Sequence, residues 1–265
     1  SLGDPSGIGP EIIVHAWRQR ADAGLNPFAV IGGAGVLRAA AEALGLNCPV
    51  TEVRSLTEAS EVFASALPVL GDEDTACHPG EPNAAGAKLA LSSLEQATQL
   101  AVGGEAGAVV TAPVSKKLLE EVGFRHPGQT EFLAAACGLP EDASVMMLVG
   151  PSLRTIPLTV HCPLADVPQM ISTDLIVERG RIVAAALQRD FGIDRPRLAV
   201  TGLNPHAGED GKFGCEDRDI IAPAVAQLVA EGIAATGPHP ADALFSPHSR
   251  NGFDAALCMY HDQAL

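Results

Sequence analysis

The stretch RLAVTGLNPHAGEDGKFG, residues 197–214, places a polar, glycine-rich loop directly after an apolar run. The run 197–203 is short, apolar and partly β-branched, which is typical of a buried strand. His206 follows it within the loop, and ligands of open α/β sheets bind beyond the carboxyl ends of the strands. The stretch therefore predicts a strand of a parallel sheet with a candidate ligand, His206, at its end.

Apolar runs of this kind alternate with amphipathic helical patterns along the whole chain. The candidate strands are 28–32, 106–112, 144–150, 154–161, 197–203 and 254–261. The candidate helices are 10–22, 35–44, 84–102, 129–137, 172–191 and 216–231. This alternation predicts an α/β fold with a mostly parallel sheet covered by helices. An antiparallel pairing stays open for the two apolar runs within 144–161, because a turn-like segment separates them.

The composition limits the class of protein. The chain has 265 residues, 47% of them hydrophobic, which is enough for two lobes that each bury a core. Its formal net charge of −15 argues against a nucleic-acid partner, because phosphate binding requires basic patches. Six scattered cysteines without a C-x-x-C pair predict free thiols in a reducing cytoplasm. The sequence lacks the long apolar span that would predict a membrane helix.

The two ends of the sequence carry a further expectation. The chain begins with Ser1 rather than Met, and it stops directly after a strand-like run without a closing helix. We therefore expect residues to be missing from both ends.

Three of the eight histidines share one pattern. His161 ends the candidate strand 154–161, His261 ends 254–261, and His206 follows 197–203. Three imidazoles with an open fourth position form a catalytic metal geometry. Their spacing matches no short metal motif, so the residues alone leave both a shared metal and separate loop histidines open. Asp242 and Asp262 are candidate partners for the second ring N–H of such ligands, or else loop caps.

Two glycine-rich segments allow alternative interpretations. Gly33 and Gly35 follow a strand and precede a helix, and Glu52 lies at the distance of a ribose-binding acid. Arg38 occupies the third glycine position of that dinucleotide fingerprint, so we favour a plain βα turn.

The segment GDPSGIGPE, residues 3–11, leads into a helix, and we favour an anion-binding role near a site over a purely structural turn.

Seven motifs occur in order along the chain and carry a family resemblance. They are GDPSGIGPE (3–11), TAPVSK (111–116), GQTEFLA (128–134), VHCPLADVP (160–168), GLNPHAGEDGKFGCED (202–217), GPHPADALF (237–245) and MYHDQ (259–263). Together they resemble the 4-hydroxythreonine-4-phosphate dehydrogenase family of pyridoxal 5′-phosphate synthesis, over essentially the whole chain. The NPHAGE and YHDQ motifs are the most specific.

The resemblance implies an architecture. It implies an α/β fold like that of isocitrate and isopropylmalate dehydrogenases, with two lobes and a cleft between them. It also implies a homodimer with a shared active site. We assign 1–125 plus 255–265 to the first lobe, whose C-terminal part is expected to be missing, and 126–254 to the second lobe with the dimer interface.

The resemblance also implies the site residues. A divalent metal, for which zinc, magnesium and cobalt are candidates, falls on His161, His206 and His261. The catalytic aspartates fall on two further positions, Asp242 and Asp262.

The substrate-binding pair of the family is His-Thr, and here it is Gln129 and Thr130. Glutamine can donate and accept hydrogen bonds, but it cannot carry a proton near neutral pH. His126 lies three residues earlier and is a candidate to compensate for this departure.

The activity implied is metal-dependent oxidation of 4-phosphooxy-L-threonine by NAD or NADP. The β-keto acid that forms then decarboxylates to 3-amino-2-oxopropyl phosphate. Because of Gln129, a relative that acts on another hydroxy acid, either a four-carbon phosphorylated sugar acid or a cis-dihydrodiol dicarboxylate, remains an alternative. A zinc hydrolase and a non-catalytic metal- or nucleotide-binding remnant are the alternatives from other classes.

Overall fold

The computed structural model describes residues 1–140 and 143–265. The chain divides into two compact units, Ser1–Ser144 and Val145–Leu265. Each unit has its own sheet and its own buried cores. Among the described residues, no helix combines the length and the apolar character that a membrane span requires.

The first unit is built on a short parallel sheet. Its strands are β1 (Val30–Ile31), β2 (Val50–Val53) and β3 (Leu67–Leu70), in the order β1-β3-β2. Its helices are α1 (Gly9–Arg18), α2 (Ala34–Ala43), α3 (Leu56–Val62), α4 (Ala84–Val102), α5 (Lys116–Glu121) and α6 (Gln129–Ala136). Leu37, Leu67 and Val69 are fully buried in the main core, and each such side chain stabilises the fold by about 1.5–3 kcal/mol.

The second unit contains a five-stranded sheet. Its strands are β4 (Leu148–Val149), β5 (Arg154–Pro157), β6 (Arg197–Thr201), β7 (Ala234–His239) and β8 (Ala255–Cys258). The order is β4-β5-β8-β6-β7, and only the β4–β5 pair is antiparallel. The helices are α7 (Val167–Met170), α8 (Thr173–Arg189), α9 (Ala222–Ala230), α10 (Ala241–Leu244) and α11 (His261–Ala264), and a π-helical turn, Asp217–Ile221, precedes α9.

The two long helices of the second unit pack closely because of one glycine. A Cβ atom at Gly180 of α8 would lie 2.8 Å from Cδ1 of Leu228 of α9, which is too close for a side chain. Ser172 caps the start of α8 by accepting a hydrogen bond from the backbone N–H of Leu175. Ile176, Leu187 and Leu228 are completely buried in the core between these helices and the sheet.

Several elements differ from the sequence prediction. The segment 106–112 was predicted as a strand but forms none; it lies largely exposed, and Val110 is 80% exposed. Strands β2, β3 and β7 were not predicted. Pro68 lies in β3, the central strand of its sheet, where proline normally argues against a strand. The antiparallel pairing that the sequence left open is present between β4 and β5.

The division of the chain also differs from the expected lobes. The sequence prediction placed 255–265 with the first lobe and set the boundary at residue 125. In the structure, β8 lies between β5 and β6 at the centre of the second unit's sheet, so this segment belongs to the unit Val145–Leu265. The physical reason is strand pairing: Ala256 is in register with Thr155 of β5 and with Ala199 of β6.

Candidate functional site

The carboxyl edge of the second sheet gathers the predicted ligands. Strands β5, β8, β6 and β7 are neighbours and run parallel, so all four end at the same edge. His161 follows β5, His261 follows β8, His206 follows β6 and Asp242 follows β7, each within five residues. The sheet order therefore converts residues that are far apart in sequence into neighbours along one edge.

Two of the three histidines lie close together. The ring centroids of His161 and His261 are 5.8 Å apart, with an angle of 41° between the ring planes. Nδ1 of His261 lies 2.9 Å from Oδ1 of Asp262. An ionised carboxylate only accepts hydrogen bonds, so in the tautomer that pairs with it Nδ1 carries the proton and Nε2 has the free lone pair. Asp262 therefore orients His261 in the manner of a partner to a metal-binding imidazole.

The third histidine lies in a strained loop. Five consecutive residues, 206–210, have positive φ, and His206 itself has φ 54° and ψ 28°. Only one of the five, Gly208, is a glycine, and non-glycine residues rarely adopt this region. Such strain persists only where the surroundings hold it, and it is common at functional sites. The His206 ring is exposed and lies 6.4 Å from the ring of Phe213.

A buried carboxylate holds the start of this loop. Asp217 is 2% exposed, and its oxygens accept hydrogen bonds from the backbone N–H groups of Leu203 at 2.8 Å and Asn204 at 3.2 Å. The side-chain amide of Asn204 donates a third, at 2.9 Å. Gly202 is required beside it, because a Cβ atom there would lie 2.6 Å from Oδ1 of Asp217. Asp217 ends the motif 202–217, and its role was not predicted from the sequence.

Threonine side chains join the strand ends to one another. The hydroxyl of Thr159, just before His161, donates to the carbonyl of Met259 at 2.8 Å, and Met259 precedes His261 by two residues. Thr201, the last residue of β6, donates its hydroxyl to Oε1 of Gln263 at 2.6 Å. Both threonines are buried. These hydrogen bonds fix the loops that carry the histidines, and they were not predicted from the sequence.

The donor types at this edge fit a divalent metal, but only part of the set is assembled. Imidazole nitrogen is a good ligand for zinc and cobalt. Within 1–140 and 143–265, no three His, Cys, Asp or Glu side chains are arranged as a ready metal-binding group. The structure therefore brings His161 and His261 together. It places His206 and Asp242 on the same edge, but their side chains do not converge with the two histidines on one metal position.

His239, the last residue of β7, adds a fourth imidazole to this edge. Its Nε2 lies 2.9 Å from the hydroxyl of Thr236, and burial lowers the pKa of His239 below its ordinary value. Its carbonyl accepts a hydrogen bond from the N–H of Gly202 at 2.8 Å, which ties β7 to the start of the His206 loop.

The predicted substrate pair lies in the first unit. Gln129 and Thr130 begin α6, and the Thr130 side chain is exposed. Oε1 of Gln129 is buried and has no hydrogen-bond partner within the described residues. A buried acceptor without a donor is costly, so this oxygen is one that a bound molecule would satisfy. His126 packs against the rings of Phe124 and Phe132 at 5.6 and 5.4 Å.

The glycine turn before α2 is used internally. Oδ2 of Asp74 accepts a hydrogen bond from the N–H of Gly35 at 2.5 Å, so a carboxylate already occupies the start of this helix. Glu52 forms an ion pair with Arg38 at 2.9 Å. Both groups that a dinucleotide would require are therefore engaged within the protein, which favours the plain βα turn.

The segment 3–11 packs against another of the family motifs. A Cβ atom at Gly3 would lie 2.6 Å from Cβ of Ala112, and the N–H of Asp4 donates to the carbonyl of Pro113 at 2.9 Å. Oδ1 of Asp4 in turn accepts from the N–H of Ser6 at 2.9 Å. These amides are engaged within the protein, which supports the structural interpretation for this part of the segment.

The sequence profile of one family covers nearly all of these elements. The family described as "Pyridoxal phosphate biosynthetic protein PdxA" matches residues 24–265. The chain belongs to this family. A relative from Erythrobacter litoralis, named 4-hydroxythreonine-4-phosphate dehydrogenase, is 74% identical to this PdxA chain over 265 residues, covering 100% of it and 79% of the relative.

Solved structures of similar proteins agree with the PdxA assignment. A 4-hydroxythreonine-4-phosphate dehydrogenase from Burkholderia phymatum superposes with a TM-score of 0.88 at 34% identity, covering 99% of this chain and 79% of that one. A terephthalate 1,2-cis-dihydrodiol dehydrogenase from Burkholderia xenovorans gives a TM-score of 0.67 at 31% identity, covering 99% and 78%. The predicted family and the predicted α/β fold of the isocitrate/isopropylmalate dehydrogenase type are confirmed.

Proposed function

We propose that this PdxA chain oxidises 4-phosphooxy-L-threonine with NAD or NADP to a β-keto acid. The β-keto acid then decarboxylates to 3-amino-2-oxopropyl phosphate. The name and the 74% identity of the Erythrobacter relative support this activity. The structural observation that supports it best is the pair His161 and His261 at the ends of adjacent parallel strands, 5.8 Å apart, with His261 oriented by Asp262.

The histidines of the carboxyl edge would hold a divalent metal, for which zinc, magnesium and cobalt are candidates. When bound, such a metal acts as a Lewis acid toward the substrate hydroxyl and the carbonyl that forms from it. Asp262 keeps Nε2 of His261 free by holding Nδ1. Thr159 and Asp217 hold the backbone beside His161 and His206.

The carboxylates at this edge would provide general acid–base catalysis. Asp242 is exposed at the first turn of α10, directly beyond the end of β7, and would be the general acid or base. NAD or NADP, when bound, would supply the hydride acceptor, and the protein would orient the reacting carbon of the substrate toward it.

Gln129 and Thr130 would bind the substrate. The buried Oε1 of Gln129 is an acceptor that a substrate ammonium or hydroxyl group would satisfy, and its amide nitrogen is a donor. Thr130 is exposed, and its hydroxyl offers a further donor and acceptor at the same helix start. A homodimer with a shared active site, in the cytoplasm, belongs to the same proposal and is supported by the family resemblance.

Gln129 favours one second candidate. Because a glutamine replaces the histidine of the family pattern, this position cannot supply a proton, and the substrate can differ from that of the relatives. The dihydrodiol dehydrogenase neighbour has a related fold at 31% identity. A four-carbon phosphorylated sugar acid or a cis-dihydrodiol dicarboxylate is therefore the alternative substrate class.

A substrate panel tests the proposal. NADH and NADPH formation is measured with 4-phosphooxy-L-threonine, phosphorylated four-carbon sugar acids and a cis-dihydrodiol dicarboxylate, with and without a chelator. We expect fast, chelator-sensitive reduction with 4-phosphooxy-L-threonine. Faster turnover of another acid would select the second candidate, and hydrolysis without any nicotinamide would indicate a zinc hydrolase instead.

A further inference from the structure

Gln263 joins the ends of two neighbouring strands through one side chain. Its Oε1 accepts hydrogen bonds from the N–H of Met259, beyond β8, at 2.7 Å and from the hydroxyl of Thr201, at the end of β6, at 2.6 Å. Its Nε2 donates to the carbonyl of Gly202 at 2.7 Å. All three partners lie at the carboxyl edge of the sheet, and an amide is required because both an acceptor and a donor are used.

The partners of Gln263 lead directly into two predicted ligands. Met259 precedes His261 by two residues, and Gly202 precedes His206 by four. Gln263 therefore connects the helix α11, which starts at His261, with the first residues of the strained His206 loop. The two strands pair in register only as far as Val200 and Leu257, so beyond that point the chains separate and the side chain bridges the gap.

We infer that Gln263 is a positioning residue that fixes the loop of His206 relative to His261. The inference rests on the proposed metal site and deepens it. Loss of the bridge would leave each histidine in its own loop, but it would free the His206 segment to move relative to α11. Misplacement of a ligand lowers metal affinity even where the fold is intact.

Thr155 offers a matched control. Its hydroxyl donates to the carbonyl of Ala264 at 2.6 Å, so it also ties α11 to the sheet through a buried hydrogen bond. Thr155 lies on β5, however, and its bond does not involve β6 or the His206 loop. Thr155→Val and Gln263→Met both weaken the attachment of α11, and only Gln263→Met cuts the bridge.

The experiment measures Co²⁺ binding by calorimetry and by the visible absorption of Co²⁺, together with the melting temperature of metal-free protein. We expect Gln263→Met to lower Co²⁺ affinity by about 10-fold or more, and Thr155→Val to stay within about 2-fold of wild type. Thr201→Val removes only the β6 hydroxyl and should give an intermediate loss of Co²⁺ affinity. The Thr201→Val variant serves as the test if Gln263→Met does not fold.

The outcomes separate the two proposals. Wild-type protein that binds no Co²⁺ would overturn the proposed metal site itself. If the wild-type protein binds Co²⁺ and Gln263→Met binds it with the same affinity, the positioning role is overturned while the metal site stands. The same conclusion follows if Gln263→Met and Thr155→Val lose equal amounts of Co²⁺ affinity.

Discussion

The carboxylate of Asp262 holds the imidazole of the preceding residue, His261, through a 2.9 Å hydrogen bond at Nδ1. The same imidazole lies with its centroid 5.8 Å from that of His161, which follows the neighbouring parallel strand. The side chain of Asp262 is 89% exposed, so its role is local orientation rather than packing. This arrangement connects the proposed metal site to one short motif at the end of β8.

Removal of the Asp262 carboxylate should weaken metal binding without unfolding the protein. Asp262→Ala is expected to lower the affinity for Co²⁺ or Zn²⁺ by about 10- to 100-fold, because the His261 ring loses its orienting partner. Asp262→Asn retains a carbonyl acceptor and should therefore lose less metal affinity than Asp262→Ala. Calorimetric titration checks both, with the exposed Asp22→Ala as control; an Asp262→Ala protein with unchanged affinity would contradict the orienting role.

His206→Ala should abolish metal binding and NAD-linked oxidation while the fold stays intact. Loss of one of three ligands is expected to lower metal affinity by more than about 100-fold, beyond the usual effect of an orienting partner. His15→Ala, an exposed position on α1, is the control and should behave as wild type. Metal content by mass spectrometry and NADH formation provide the measurements. Full metal content and turnover in purified His206→Ala would refute the ligand assignment.

Gln129→His should introduce a pH dependence that the wild-type residue cannot give. A histidine there would be protonated below about pH 6.5 and neutral above it, whereas glutamine stays uncharged throughout. We expect kcat/KM of Gln129→His to change between pH 6 and about 7.5 relative to wild type. Gln129→Leu removes the unpaired buried oxygen and should raise KM with little loss of stability. Identical pH profiles for wild type and Gln129→His would argue against substrate contact at this position.

The stability of the second unit should fall in acid because of Asp254. The Arg197 guanidinium and backbone N–H both bond this carboxylate, and they hold the pKa of Asp254 below its ordinary value of 3.8. A carboxyl whose pKa is lowered in the folded state stabilises the fold above the unfolded pKa, and this contribution is lost as the pH falls through the folded pKa.

Denaturant unfolding at pH 7 and at pH values below about 3.8 measures this loss. The variant Arg197→Met should show a weaker dependence on pH in the acid range, because its Asp254 pKa is closer to the unfolded value. Asp190→Asn is the control: Asp190 pairs with Arg189 on the surface, where 48% and 76% of the side chains are exposed and solvent screens the pair. An equal change in both variants would contradict the assignment to Asp254.

Several elements could be predicted from the sequence because their signals are local. The helix Ala84–Val102 has the predicted bounds, because Asn83 caps its start and the apolar residues repeat at helical spacing. The strand Arg197–Thr201 was recognisable as an apolar run before a glycine-rich loop. Strand β3, which contains Pro68 in the centre of its sheet, was not predicted, and the apolar run 106–112 does not form a strand.

The sequence by itself determined the α/β class, the family and the three strand-end histidines, because these depend on residue types and on their order along the chain. Only the tertiary structure decided that β8 lies between β5 and β6, and therefore that His261 is the neighbour of His161. It also decided the role of Asp217, whose burial against the backbone of Leu203 and Asn204 leaves no trace in a single sequence. Strand order and buried hydrogen bonds join residues that are distant along the chain, and local patterns carry no information on such contacts.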